Sequence, residues 1–162
     1  MIYLFDLDIT LWDTQDKYGN QIWAKQMMRP FDYRGTNDVI VDDVFSTCVL
    51  RKGVREYLSH LHSEGHEIGF ISVGAAKHIA YEKQPSYFLL HHFEIYKYFG
   101  NTKVLEYKTY DKVETIGKLE GKIVFYDDSP KNLEAVKHLD NVIAINSFDI
   151  RDWSTLIGKN YD

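Results

Sequence analysis

Three short runs in this chain are apolar almost from end to end, and each stops on a polar residue able to do chemistry. Ile2, Tyr3, Leu4 and Phe5 end at Asp6; Ile68, Gly69, Phe70 and Ile71 end at Ser72; Ile123, Val124, Phe125 and Tyr126, after Lys122, end at Asp127 and Asp128. A fourth run is Val142, Ile143, Ala144 and Ile145. Apolar runs of this length without alternation read as strands covered on both faces, the situation of a parallel sheet. They constrain the fold more than any other feature of the chain.

Helical patterns stand between the runs. Val54, Tyr57, Leu58 and Leu61 share one helix face, and Gly65 stands where a C-terminal glycine cap is expected. Ala75 to Tyr98 reads as two helices divided at Pro85. Asp111 can cap a helix with Glu114 three residues on, and Ser129-Pro130 can open another carrying Leu133, Val136 and Leu139. Trp153, Leu156 and Ile157 suggest a short final helix. Strand and helix in alternation predict an α/β fold, a three-layer Rossmann-like parallel sheet with right-handed crossovers. Residues 13–50 do not fit that alternation. The stretch is too long for a plain loop and is expected to be an insertion, a small flap with its own hairpin.

At 162 residues the chain is expected to form one domain, residues 1–162, with the flap inserted in it. A net charge of -5 argues against a general nucleic-acid binder. The single cysteine, Cys48, rules out an intrachain disulfide and suits a reducing cytoplasm. The N-terminal residues do not read as a signal peptide, and no apolar stretch reaches the roughly 18 residues of a membrane span.

Asp6, Ser72, Asp127 and Asp128 all fall at C-terminal strand ends, the edge where open parallel sheets bind ligands. Carboxylates gathered there repel one another unless a cation compensates, and hard oxygen ligands suit Mg²⁺. A carboxylate is also a competent nucleophile toward phosphorus, and a second one can serve as general acid. Phosphoryl transfer then needs cations and hydrogen-bond donors on the transferring oxygens.

With the order Asp6-Leu7-Asp8-Ile9-Thr10, then Ser72, then a lysine, then Asp127-Asp128 with Asn132, the chain resembles the haloacid dehalogenase superfamily of phosphohydrolases. Phe5-Asp6-Leu7-Asp8, Thr10-Leu11-Trp12 and Phe125-Tyr126-Asp127-Asp128 are similar to the eukaryotic-type magnesium-dependent phosphatases, a group with a small flap and no large cap. The resemblance implies Asp6 as nucleophile and Asp8 as general acid and base. It implies Mg²⁺ held by Asp6, the Asp8 carbonyl and Asp128, with Asp127 either a ligand or a support behind the ligands. It also implies a phosphate site from Leu7, Thr10, Ser72 and the amides of Val73 and Gly74. Asn132 would orient metal-bound water. The lysine candidates are Lys103, Lys108, Lys112 and Lys118. Lys108 ranks first, just before the expected Asp111 cap; Lys112 is its rival, disfavoured because a cation in a first helical turn opposes the helix dipole.

The implied partner is a phosphorylated substrate, small molecule or phosphoprotein; members of the group are associated with phosphotyrosine and with sugar-phosphate adducts on proteins. The competing reading is a phosphoacceptor or binding module without rapid turnover. Asp42 and Asp43 are expected to be exposed hairpin residues, and the seven histidines show no ligand spacing. Trp12, Tyr18, Trp23, Phe31 and Tyr33 form either the core of the insertion or, with Arg29 and Arg34, an aromatic and basic wall over the substrate.

Overall fold

A computed structural model describes residues 1–32, 37–74, 77–106 and 112–162. Strand β1 is Ile2–Phe5. Four strands of the insertion follow: β2 (Trp12–Gln15), β3 (Gln21–Ile22), β4 (Val39–Val41) and β5 (Thr47–Leu50). Then come α1 (Val54–Ser63), β6 (Glu67–Val73), α2 (Pro85–His92), β7 (Lys103–Glu106), α3 (Lys112–Gly117), β8 (Ile123–Asp127), α4 (Pro130–Val136) and β9 (Val142–Asn146).

The main sheet is five-stranded in the order β7-β6-β1-β8-β9, and every pair in it is parallel. Its strands alternate between two packed layers. Tyr3, Phe5, Phe70, Val124 and Tyr126 join one core with Tyr57, Leu58 and Leu61 of α1. Leu4, Ile71, Ile123 and Phe125 join the other with Ile116 of α3 and Val136 of α4. Both faces are therefore covered, which is why the central strands read as unbroken apolar runs. The fold is α/β and Rossmann-like, as the sequence predicts.

β7 has no counterpart in the sequence reading. It is an edge strand holding only Val104 and Leu105 between Lys103 and Glu106, and all four residues are partly exposed. With one side open to solvent, it needs no apolar run. The stretch divided at Pro85 holds, among its described residues, one α-helix, not two. Among the described residues before it there is a turn and a 3-10 segment, Tyr81–Lys83. Gln84, held extended as the residue before a proline, donates its side-chain amide to the Ile79 carbonyl, and Pro85 opens α2. Gly65 does end α1, in the left-handed region at φ 77°, and its N–H donates to the His62 carbonyl. The expected cap at Asp111 lies outside the described residues.

The insertion is more than a hairpin: a four-stranded antiparallel sheet, order β3-β2-β5-β4. Asp42, expected to be exposed, is buried. It accepts the backbone N–H groups of Met28, Val44 and Ser46, so it ties the β4–β5 turn together. The aromatic residues of this region divide. Trp12 is fully buried in the main core, whereas Tyr18 and Trp23 are exposed. Arg29 lies over the Phe88 ring of α2. Tyr33 and Arg34 lie outside the described residues. No helix among the described residues is long and apolar enough to cross a membrane.

Candidate active site

The sheet reverses direction of growth at β1, with β6 on one side and β8 on the other. Ligands of such sheets bind outside the strand ends at this point. The register pairs Phe5 with both Phe70 and Tyr126, so Asp6 and Asp127 emerge side by side. Residues alternate faces along a strand, so each points to the face opposite Phe5 and Tyr126, the face on which α3 packs. Lys112 opens α3 and lies four residues before the buried Ile116, on the same helix stripe. Its ammonium descends between the two carboxylates, donating to Asp6 Oδ1 and Asp127 Oδ2, each at 2.8 Å.

Three donors hold Asp127. Oδ1 accepts the Ser129 N–H at 2.8 Å, and Oδ2 accepts from Lys112 and from the Asn132 side-chain amide at 3.0 Å. Asn132 is thus aimed at a carboxylate. Ser129 caps α4 and accepts the Asn132 N–H, so the same short turn sets both residues. Asp128 lies beside the Asp6 carboxyl and accepts from the Thr10 hydroxyl at 3.4 Å. Thr10 also lies 3.3 Å from Asp6 Oδ2 and 3.0 Å from the Ser147 hydroxyl.

Beyond Asp6 the chain does not stay extended. The N–H groups of Thr10 and Leu11 turn back to the Leu7 carbonyl, and Ile9 takes a left-handed φ of 63°, a strained choice for a β-branched residue. Leu7 itself is in the core, so only its backbone can face a ligand. The turn places Asp8 in the cavity, where its Oδ1 accepts the Trp12 indole N–H at 2.7 Å and the Ala24 N–H at 3.3 Å. Arg51 clamps this loop from behind. Its guanidinium donates to the carbonyls of Thr10 (2.9 Å), Ser147 (3.0 Å) and Ile150.

On β6, Ser72 and Val73 line the same cavity, of about 380 Å³. Phe70 and Gly74 send their N–H groups to carbonyls beside β7. Alternate amides of a strand point opposite ways, so the Val73 N–H faces the β1 side, where β1 has already ended. Gly74 is spent on Glu106 and is not a donor to a ligand, against the sequence reading. Lys108, ranked first there as the lysine of the motif series, lies outside the described residues. Among the described residues, the lysine that bonds the carboxylates is Lys112.

Burial pushes every carboxyl of this group upward. Asp6, Asp127 and Asp128 are all raised above 3.8 chiefly by burial, Lys112 pulling against it in each case. Asp8 rises to about 6, again by burial, with the Trp12 hydrogen bond opposing and the Asp6 charge adding. Folding therefore favours the protonated forms, so their contribution to stability is present below about pH 4 and is lost as pH rises through the folded values. For Asp8 the window is about pH 4 to 6. The Asp8→Asn variant is expected to gain on the wild type in metal-free thermal midpoint as pH goes from about 4.5 to 7.5. A constant gap over that range would contradict a raised Asp8.

Asp6, Asp127 and Asp128 offer carboxylate oxygens that all lie within 4.8 Å of one another. Among the described residues one buried lysine faces three buried or half-buried carboxylates and a fourth beside them, so carboxylates outnumber the cations described there. An all-oxygen donor set of this kind fits a hard divalent cation. The arrangement can hold such an ion, present Asp6 to an electrophile and deliver a proton from Asp8. Arg51, Ser147 and the Trp12–Asp8 bond were not legible beforehand, since each acts through long-range placement. For Lys112 the signal was its four-residue spacing from Ile116. A scan against protein-family models finds no match, and no curated protein matches the sequence.

Proposed function

We propose that the protein is a Mg²⁺-dependent phosphatase that hydrolyses phosphate monoesters through an aspartyl-phosphate on Asp6. The observation that carries this reading is the pair of aspartates in one cavity, two residues apart and with different partners. Asp6 is hydrogen-bonded to a buried lysine, which favours its charged form against the burial that raises its pKa. Asp8 has no such cation bonded to it and rises to about 6, so near neutral pH a useful fraction carries a proton. The order of motifs shared with haloacid dehalogenase phosphatases adds support.

In the first step an Asp6 oxygen bonds to phosphorus while the ester P–O bond breaks, and the leaving oxygen takes the Asp8 proton. In the second, a water oxygen attacks the phosphorus of the acyl phosphate and Asp8 takes the water proton. The bond to Asp6 then breaks, releasing inorganic phosphate and restoring both carboxyl groups. Ser72 and the Val73 N–H face the transferring oxygens, and Lys112 relieves repulsion between Asp6 and an incoming phosphate. Mg²⁺, held by Asp6 and Asp128 with Asp127 beside them, would supply further positive charge to those oxygens.

The test is release of p-nitrophenol from p-nitrophenyl phosphate with and without Mg²⁺, beside an alkyl phosphate. Release that needs Mg²⁺ is expected. Asp8→Asn should cost more with the alkyl ester, whose leaving oxygen needs the proton, by about 10²-fold or more. Equal losses on the two esters would remove Asp8 as the acid. An acyl phosphate that accumulates on Asp6 without release would favour the phosphoacceptor reading.

A further inference from the structure

The flap brings a ring and a cation to the side of the cavity where a leaving group must lie. Ala24 donates its N–H to Asp8, which ties the 3-10 segment Ala24–Gln26 to the proposed proton donor. The two residues flanking Ala24 are Trp23 and Lys25, and both line the cavity that holds Asp6, Ser72 and Lys112. Trp23 is 53% exposed, unlike Trp12 and Trp153, which are fully buried. Its backbone is fixed on both sides: Trp23 N–H donates to the Gln26 side chain and Gln26 N–H donates to the Trp23 carbonyl. The Lys25 ammonium stands 5.1 Å from the Trp23 ring centroid. An exposed tryptophan lining the cavity from a backbone-fixed position, with a lysine beside it, has no evident part in the core.

We infer that Trp23 and Lys25 determine specificity, selecting phosphate esters whose leaving group is a ring that carries a second negative charge. This rests on the phosphatase reading for the direction of the leaving group. With the phosphoryl group against Asp6, the ester oxygen faces Asp8, and the first atoms beyond it meet the segment bonded to Asp8. A flat leaving group stacks on the indole, and its additional anion meets Lys25. The cavity, about 380 Å³, is near the lower end of the ~300–1,000 Å³ of small-molecule sites, enough for a phosphate and one ring.

Binding of non-hydrolysable phosphonates separates this inference from the activity itself. Propylphosphonate, benzylphosphonate, carboxybenzylphosphonate and its uncharged carboxamide are titrated calorimetrically into the protein with Mg²⁺. Benzyl should bind about 5-fold tighter than propyl, and carboxylate about 3-fold tighter than carboxamide. Trp23→Ala should erase the first preference and Lys25→Gln the second, each as a ratio that a general structural defect would not move. Equal binding of all four, no binding of any, or preferences that survive both substitutions would overturn the inference. The expected preferences without hydrolysis of any ester would retain the subsite and remove the phosphatase reading instead.

Discussion

Lys112→Met is expected to destabilise the metal-free protein by roughly 3–5 kcal/mol at pH 7, the range seen when one partner of a buried ion pair is removed. The Lys112 side chain is only 6% exposed and bonds two carboxylates at once. Burial works against its charge, but Asp6 and Asp127 outweigh burial and hold its pKa above the ordinary value. A raised lysine contributes its full stabilisation below its unfolded pKa, so at pH 7 the variant loses all of it. The remaining carboxylates then face one another with no buried cation among the described residues. Protonation relieves them, so the defect should shrink by about pH 5. Added Mg²⁺ should shrink it as well. Urea unfolding of both proteins at the two pH values reads this directly. A difference within about 0.5 kcal/mol at pH 7 would mean that Lys112 does not organise the group.

Asp6→Asn should lower turnover by about 10⁴-fold or more, the scale of losing a covalent nucleophile, while the protein remains folded. Asparagine keeps the shape of the side chain and an oxygen that can accept from Lys112. It also removes one charge from a group whose carboxyls burial has already raised. The variant is therefore expected to melt no lower than wild type without Mg²⁺, and to bind the ion more weakly. Single-turnover phosphate release beside a thermal melt separates the two effects. Residual release above about 1% of wild type would assign the nucleophile to another group.

The central strands were readable because both faces of the sheet are covered. Leu4 and Phe5 face opposite cores, and so do Ile71 and Phe70, so neither strand has a polar side to confuse the pattern. The edge strand β7 was invisible for the converse reason. Asp6, Ser72, Asp127 and Asp128 were legible as residues closing apolar runs, Asp8 only through the resemblance of the Asp6–Thr10 motif, and all of them line the cavity. The lysine was harder, because the helix-dipole cost of a cation at position 112 is small beside two carboxylates that the sequence places 106 and 15 residues away. Asp42 was misread as exposed since nothing local shows that three backbone amides converge on it. The same limit hid Arg51, whose carbonyl acceptors extend to residue 150.

The flap leaves the main fold at Trp12 and returns at Leu50, and these two residues are paired neighbours. The next residue, Arg51, donates its N–H to the Leu11 carbonyl. The insertion is thus plugged into a socket whose two contacts sit side by side, with Arg51 as the bolt. The tip of the β2–β3 hairpin is the turn at Asp16–Asn20, where the Gly19 N–H donates to the Asp16 carbonyl at φ 83°. Chain added or exchanged at that tip lengthens the flap without displacing the socket. Length and sequence can thus vary at one end of a ribbon while Asp6 and its neighbours stay where they are.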